Sequence, residues 1–281
     1  MRTINEYINV LDDDMRATTG MQGNYTFVNN GQPITLVAHI DTIKKPTGSV
    51  INDNGKLYRK QSILGADDRS GCFVLLSYLY STHSASFNYL FTDMEESGGY
   101  GAKAFAYNTF SQRDNATKLY IEIDRHGTGH YATYSDISNS LELFLLKLRC
   151  GPLTQQCGTY SDIADISRIT GVQSINLACG YYNEHTSKEY QDFGELLRVF
   201  DVIDEIQNTI TYDIIGKMPE RKYTLYAPYQ VEDWYGQEDQ VGNKVVSTEY
   251  LDEDYEEYEK WWNSQYEQDI TQKPKEVYPL W

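Results

Sequence analysis

Histidines and carboxylates recur in this chain in short clusters: His39-Ile40-Asp41, Asp67-Asp68, Asp93-Met94-Glu95-Glu96, Asp124-Arg125-His126 and Asn183-Glu184-His185. Imidazole and carboxylate donors without thiolates suit zinc, and also manganese or cobalt. Carboxylates gathered at one place repel each other unless a cation sits among them. The acids are too many for one tetrahedral ion. Two ions sharing a bridging carboxylate, about 3.5–4 Å apart and clamping a hydroxide, fit the set better. In the adjacent pair Glu95-Glu96, one carboxylate can bind metal while its neighbour takes a proton from the attacking water.

The elements between these clusters explain how they meet. Met1–Met15 reads as a helix with Ile4, Tyr7, Ile8 and Leu11 on one face. Tyr25–Val28 and Ile34–Ile40 are β-rich runs joined by the turn sequence Asn29-Asn30-Gly31. Helices are expected at Gly71–Tyr80, Gly101–Phe110, Asp162–Thr170 and Phe193–Ile210, and strands at Phe87–Phe91, Leu119–Ile123 and Val172–Ala178. This alternation predicts a three-layer α/β/α sandwich around a mostly parallel, mixed sheet. In such sheets ligands bind outside the carboxyl ends of the strands. Four of the clusters follow a strand, directly or after a short loop, and the fifth, Asp67-Asp68, lies just before a helix. All five are expected in one crevice.

Composition narrows the alternatives. The chain of 281 residues carries a net charge of −17. That balance argues against nucleic acid and against an anionic membrane surface as partners. No apolar run approaches the roughly 20 residues of a membrane span. The N-terminus lacks an apolar signal core, so a cytoplasmic location is expected. Cys72, Cys150, Cys157 and Cys179 form no C-x-x-C pair and are expected as buried thiols. Composition changes near residue 215. All four tryptophans lie beyond it, as does the acid run Leu251–Glu259. We therefore divide the chain into a catalytic body, 1–215, and an acidic, Tyr- and Trp-rich extension, 216–281. A helix at about 251–263 is expected in the extension, with Leu251, Tyr255, Tyr258 and Trp262 on one face, for docking or homo-oligomer formation.

Five segments in order resemble the motifs of the co-catalytic zinc exopeptidase clan, which includes peptidase T-like enzymes and single-domain leucyl aminopeptidases. His39-Ile40-Asp41-Thr42 resembles its H-x-D-T strand end. Gly65-Ala66-Asp67-Asp68-Arg69-Ser70-Gly71 is similar to its G-A-D-D-[KR]-x-G segment. Glu95-Glu96-Ser97-Gly98-Gly99-Tyr100-Gly101-Ala102 resembles its E-E-x-G-x-x-G-A segment, and Glu122-Ile123-Asp124 its third ligand strand. His185-Thr186-Ser187-Lys188-Glu189 looks like its closing H-[ST]-x-x-E segment. The resemblance covers roughly residues 1–210 and implies a role for each residue. His39, Asp67 and Asp124 would hold one zinc ion. Asp67, Glu96 and His185 would hold a second, with Asp67 bridging. Glu95 would be the general base, and Asp41 would accept the free N–H of His39. A cis peptide after Asp67 is also implied.

The chain departs from the clan in two ways that bear on substrate. Only about sixty residues separate Asp124 from His185, so the lid domain of many relatives is absent. The single-domain aminopeptidases place a tyrosine beside the last histidine, where this chain has Glu184; Tyr181 and Tyr182 stand close in sequence. Arg125 and His126 are candidates for contact with substrate, Arg125 either binding a substrate carboxylate or pairing with the acid cluster. The expected activity is cleavage of a terminal peptide bond by an aminopeptidase with two Zn2+ ions. Rival readings are a carboxypeptidase, N-acyl amino acid deacylase or amidase on the same metals, taking an acyl-amino-acid substrate. A non-catalytic scaffold acting through the aromatic tail is a rival of another class.

Overall fold

A computed structural model describes residues 2–112, 116–210 and 212–215. The extension 216–281 and its expected helix lie outside the described residues. The strands are β1 Tyr25–Val28, β2 Ile34–His39, β3 Val50–Asp53, β4 Lys56–Arg59, β5 Asn88–Thr92, β6 Leu119–Arg125, β7 His130–Ala132, β8 Thr154–Gln156, β9 Gln173–Ala178, β10 Tyr181–Tyr182 and β11 Tyr190–Asp192. The helices are α1 Ile4–Asp12, α2 Met15–Thr18, α3 Ala66–Leu79, α4 Tyr100–Gln112, α5 Asn139–Leu145, α6 Asp162–Thr170, α7 Phe193–Thr209 and α8 Tyr212–Ile215.

Among the described residues the main sheet has seven strands in the order β1-β5-β2-β6-β9-β7-β8. Its centre, β5-β2-β6-β9, is parallel, while β1 and β7 run antiparallel to their inner neighbours. Period-2 alternation explains the layers. Leu36 and Ala38 of β2 and Leu119, Ile121 and Ile123 of β6 face one core, shared with α1, α3 and α7. Val37, Leu90 and Tyr120 face the opposite core, built with Phe105 of α4 and Ile163 and Ile166 of α6. The fold is therefore the expected three-layer sandwich around a mixed, largely parallel sheet.

A second, four-stranded sheet, β10-β11-β4-β3, accompanies it. Its β3–β4 hairpin turns on Asn54-Gly55, both at positive φ (52° and 92°), with Asp53 facing Lys56. That is the short turn Asn-Gly favours.

Several expectations need correction. β1 and β2, joined by the turn sequence Asn29-Asn30-Gly31, are not neighbours in the sheet, because β5 lies between them. Asn88, at the start of β5, explains why. Its Oδ1 accepts N–H groups from Asn30 and Gln32, and its Nδ2 donates to the Gln32 carbonyl. The turn thus wraps the end of β5 and carries the chain across it. The N-terminal helix stops at Asp12, and Asp14 caps a separate short helix by accepting from Arg16 and Ala17. Cys72 and Cys179 are buried as expected, but Cys150 and Cys157 are exposed. Among the described residues no helix is long and apolar enough to cross a membrane.

Candidate metal centre

The carboxyl ends of β2, β5 and β6 supply His39, Glu95 and Glu96, and Asp124. The start of α3 adds Asp67, and the β10–β11 loop adds His185. Asp67 joins the set. Its Oδ1 lies 3.0 Å from His39 Nε2, and its Oδ2 lies 3.1 Å from His185 Nε2. Asp124 Oδ1 stands 3.8 Å from His39 Nε2, and Glu96 Oε1 stands 3.0 Å from His185 Nε2.

Two donor groups result, one around His39 and Asp124 and one of Asp67, Glu96 and His185, with Asp67 facing both. Ligands at about 2.0–2.1 Å from a tetrahedral ion sit about 3.3 Å apart, close to these separations. Donor type and spacing therefore fit a pair of zinc-like ions. Asp68 also lies near His39 and Asp124. Its oxygens, however, accept the backbone N–H groups of His39 (3.2 Å) and Gly71 (2.8 Å), which gives it a structural task. The Asp67–Asp68 peptide is cis.

Electrostatics tell the same story. Burial, with Asp67 nearby, pushes Asp124 up to about 7. Burial, with Asp124 and Asp162 nearby, pushes Glu95 up to about 9. The hydrogen bond that His185 donates to Asp67 raises the imidazole to about 9. Burial pulls His39 down, but its bonds to Asp124, Asp41 and Asp67 outweigh it and hold the imidazole well above its ordinary value. Asp124, Glu95, His39 and His185 thus hold protons tightly, while His185 and His39 keep Asp67 below its ordinary value; carboxylates gathered this closely call for a counter-charge.

Neighbouring groups fix the ligands. Asp41 Oδ1 is 3.3 Å from His39 Nδ1 and also accepts the Glu95 N–H at 3.1 Å, while Oδ2 accepts the Glu96 N–H at 3.2 Å. One carboxylate therefore orients both the imidazole and the Glu95-Glu96 segment. Met94 and His185 are held at positive φ (both 64°), where non-glycine residues are uncommon. Gly101 is required by close approach, since a Cβ there would meet the Asn24 carbonyl at 2.4 Å and the Asp93 carbonyl at 2.5 Å.

Glu95, Arg125, His126 and Tyr181 line a cleft of about 660 Å³ with the donor residues Asp67, Glu96, Asp124 and His185. His126 Nδ1 pairs with Glu184 Oε1 at 2.9 Å. The Tyr181 hydroxyl is spent on Asp124 Oδ1 at 3.1 Å. The structure does not bring Tyr182 to this cleft; its hydroxyl donates to Glu195 Oε2 at 2.7 Å.

Sequence reasoning passed over several supporting residues. Asn176 brackets the Asp124 backbone, accepting its N–H at 3.0 Å and donating to its carbonyl at 2.9 Å. Buried Glu122 takes Asn176 Nδ2 at 3.0 Å together with the Ser161 hydroxyl, and buried Asp162 takes the Thr92 hydroxyl. A polar Asn between the apolar Ile175 and Leu177 of β9 was the available signal for the first. Asp162 reads as an ordinary acid in the first turn of a helix and gave none.

Two solved structures share the fold. Aminopeptidase PepT from Bacillus cereus is 16% identical over 77% of this chain and 98% of its own, with a TM-score of 0.55. A tripeptidase from Staphylococcus aureus is 15% identical over 76% and 92%, with a TM-score of 0.52. No curated protein matches the sequence. Residues 22–158 match peptidase family M28, a segment that holds His39, Asp67, Glu95, Glu96 and Asp124. Over that segment, just under half of its length, the chain is similar to peptidase family M28, and its fold is that of the two aminopeptidase structures.

Proposed function

We propose that this protein is a zinc aminopeptidase with two ions. His39, Asp67 and Asp124 would hold one, and Asp67, Glu96 and His185 the other. The observation that carries the reading is the Asp67 carboxylate, with one oxygen on each histidine. Bound there, zinc supplies Lewis acidity toward the scissile carbonyl and the attacking water.

The remaining steps belong to the chain. Glu95, in the cleft and without an assigned metal, takes the proton of the attacking water and returns it to the departing nitrogen. Burial raises the proton affinity of this carboxylate in the metal-free chain, and the group would ionise for that exchange beside cations at the neighbouring donors. Asp41 keeps His39 in the tautomer with its proton on Nδ1, leaving Nε2 for the ion. Unblocked α-amines suit a cleft lined by Glu95, Glu96 and Glu184, and this favours cleavage from the amino end.

The test is metal content measured beside turnover on matched free-amine and N-acylated substrates. About two zinc ions per chain with hydrolysis confined to free amines supports the proposal. Cleavage of acylated substrates alone moves the activity to a deacylase. Two ions with no turnover of either set returns the scaffold reading.

A further inference from the structure

Arg125 is the unexplained residue of the cleft. The cleft is rich in acids, yet among the described residues Arg125 makes no ion pair. One Nη donates to the Cys157 carbonyl at 2.7 Å, and its buried Nε has no hydrogen-bond partner. The other charges have work. Asp67, Glu96 and Asp124 belong to the donor cluster, Glu184 holds His126, and Lys103 lies 3.8 Å from Asp165. A guanidinium has five donors in a planar fork shaped for a carboxylate.

The backbone shows that its place in the cleft is built. Neighbouring residues of a strand point to opposite faces. Asp124 and Arg125 nevertheless line the same cleft. The pairing of β6 with β9 slips between Glu122 and Arg125, where Glu122 faces Asn176 and Arg125 faces Ala178. Three steps on β6 thus match two on β9. Such a bulge re-aims a side chain, and bulges gather beside active sites.

We propose that Arg125 anchors a carboxylate of the substrate, which makes short acidic or free-ended peptides the substrate class. The inference rests on the peptidase reading above. Arg125 follows the donor Asp124 directly, and a peptide spans about 3.3–3.6 Å per residue, so the carboxylate sits within a few residues of the scissile bond. The cleft volume of about 660 Å³ lies in the range of small-ligand sites. Two sources present this chemistry: the C-terminal carboxylate of a di- or tripeptide, or an Asp or Glu side chain.

The test uses the full-length zinc-loaded chain with Leu-Gly-Gly, its C-terminal amide, and Leu-Glu-Gly amide. A C-terminal source gives a KM about 10- to 100-fold lower for the acid than for its amide, with kcat little changed. A side-chain source gives that advantage to the Glu peptide amide. In either case Arg125→Met brings the ratio to near one, and Arg125→Lys recovers part of it. Equal KM for all three peptides, or a ratio unmoved by Arg125→Met, overturns the anchor. Calorimetric binding of the same peptides to Glu95→Gln protein separates the two readings. Tighter binding of a carboxylate-bearing peptide without turnover by the wild type leaves the anchor standing and removes the peptidase reading. Equal binding, or none, removes the anchor.

Discussion

The Glu189 side chain accepts the backbone N–H of Ala66 at 2.7 Å. The same carboxylate takes Leu64 (2.8 Å), Gly65 (3.1 Å) and Asp67 (3.4 Å), so one buried group holds the whole approach to Asp67. Glu189→Ala leaves these donors without an acceptor. We expect a loss of about 2–5 kcal/mol in urea unfolding and metal affinity about 10- to 100-fold weaker. Glu189→Gln, which keeps an acceptor, is expected to fall between wild type and alanine in both measurements.

Asp41→Ala removes the carboxylate 3.3 Å from His39 Nδ1, leaving only the main-chain carbonyl of residue 41 at 3.1 Å, and it also removes the acceptor of the Glu95 and Glu96 N–H groups. Zinc affinity is expected to drop about 10- to 100-fold. Activity is expected to stay low even when zinc is saturating, because the Glu95 segment has lost its hold. Full activity at saturating zinc would confine Asp41 to the imidazole.

Glu95→Gln is expected to reduce kcat by about 100- to 10,000-fold or more, with metal content by mass spectrometry unchanged. Asp67→Ala is expected to lose both ions. A single tightly held ion in that variant would contradict a shared carboxylate.

The metal-free protein has a defined pH response. Glu95 is raised by burial to about 9, and His185 is raised by Asp67 to about 9. Between about pH 6.5 and 9 the folded chain keeps these two protons, and the unfolded chain, with ordinary values, releases them. Stability therefore falls as pH rises through this window. Asp67 is held below its ordinary value by His185 and His39 and is ionised in both states there, so it adds no slope. Urea midpoints of chelator-treated protein should decline from pH 6.5 to 9, and saturating zinc should flatten the decline.

The core elements were legible because their signals are local. Asp162–Thr170 carries its own stop in Gly171, and the structure ends α6 there, with Gly171 at φ 77°. The acids and imidazoles after each strand were legible because sheet geometry brings strand ends together. Illegible features depend on distant partners. The insertion of β5 between β1 and β2 rests on Asn88, whose bonds span 56 and 58 positions of chain. The alternatives for Arg125 stayed open because a bulge arises from pairing with β9 and leaves no mark on β6 itself. The β3–β4 hairpin had its Asn54-Gly55 turn in plain view, but its strands of four residues are too short to show a period.

The two halves of the donor cluster differ in how they are housed. His39 is 1% exposed on a central strand with Asp124 at 8%, whereas His185 is 44% exposed on a loop between two short strands of the smaller sheet. An ion seated at His39 would leave slowly, and one at His185 would exchange readily with solvent. Dialysis against a chelator would then pass through a half-loaded species, and the enzyme would behave as one with a permanent and a rechargeable cation.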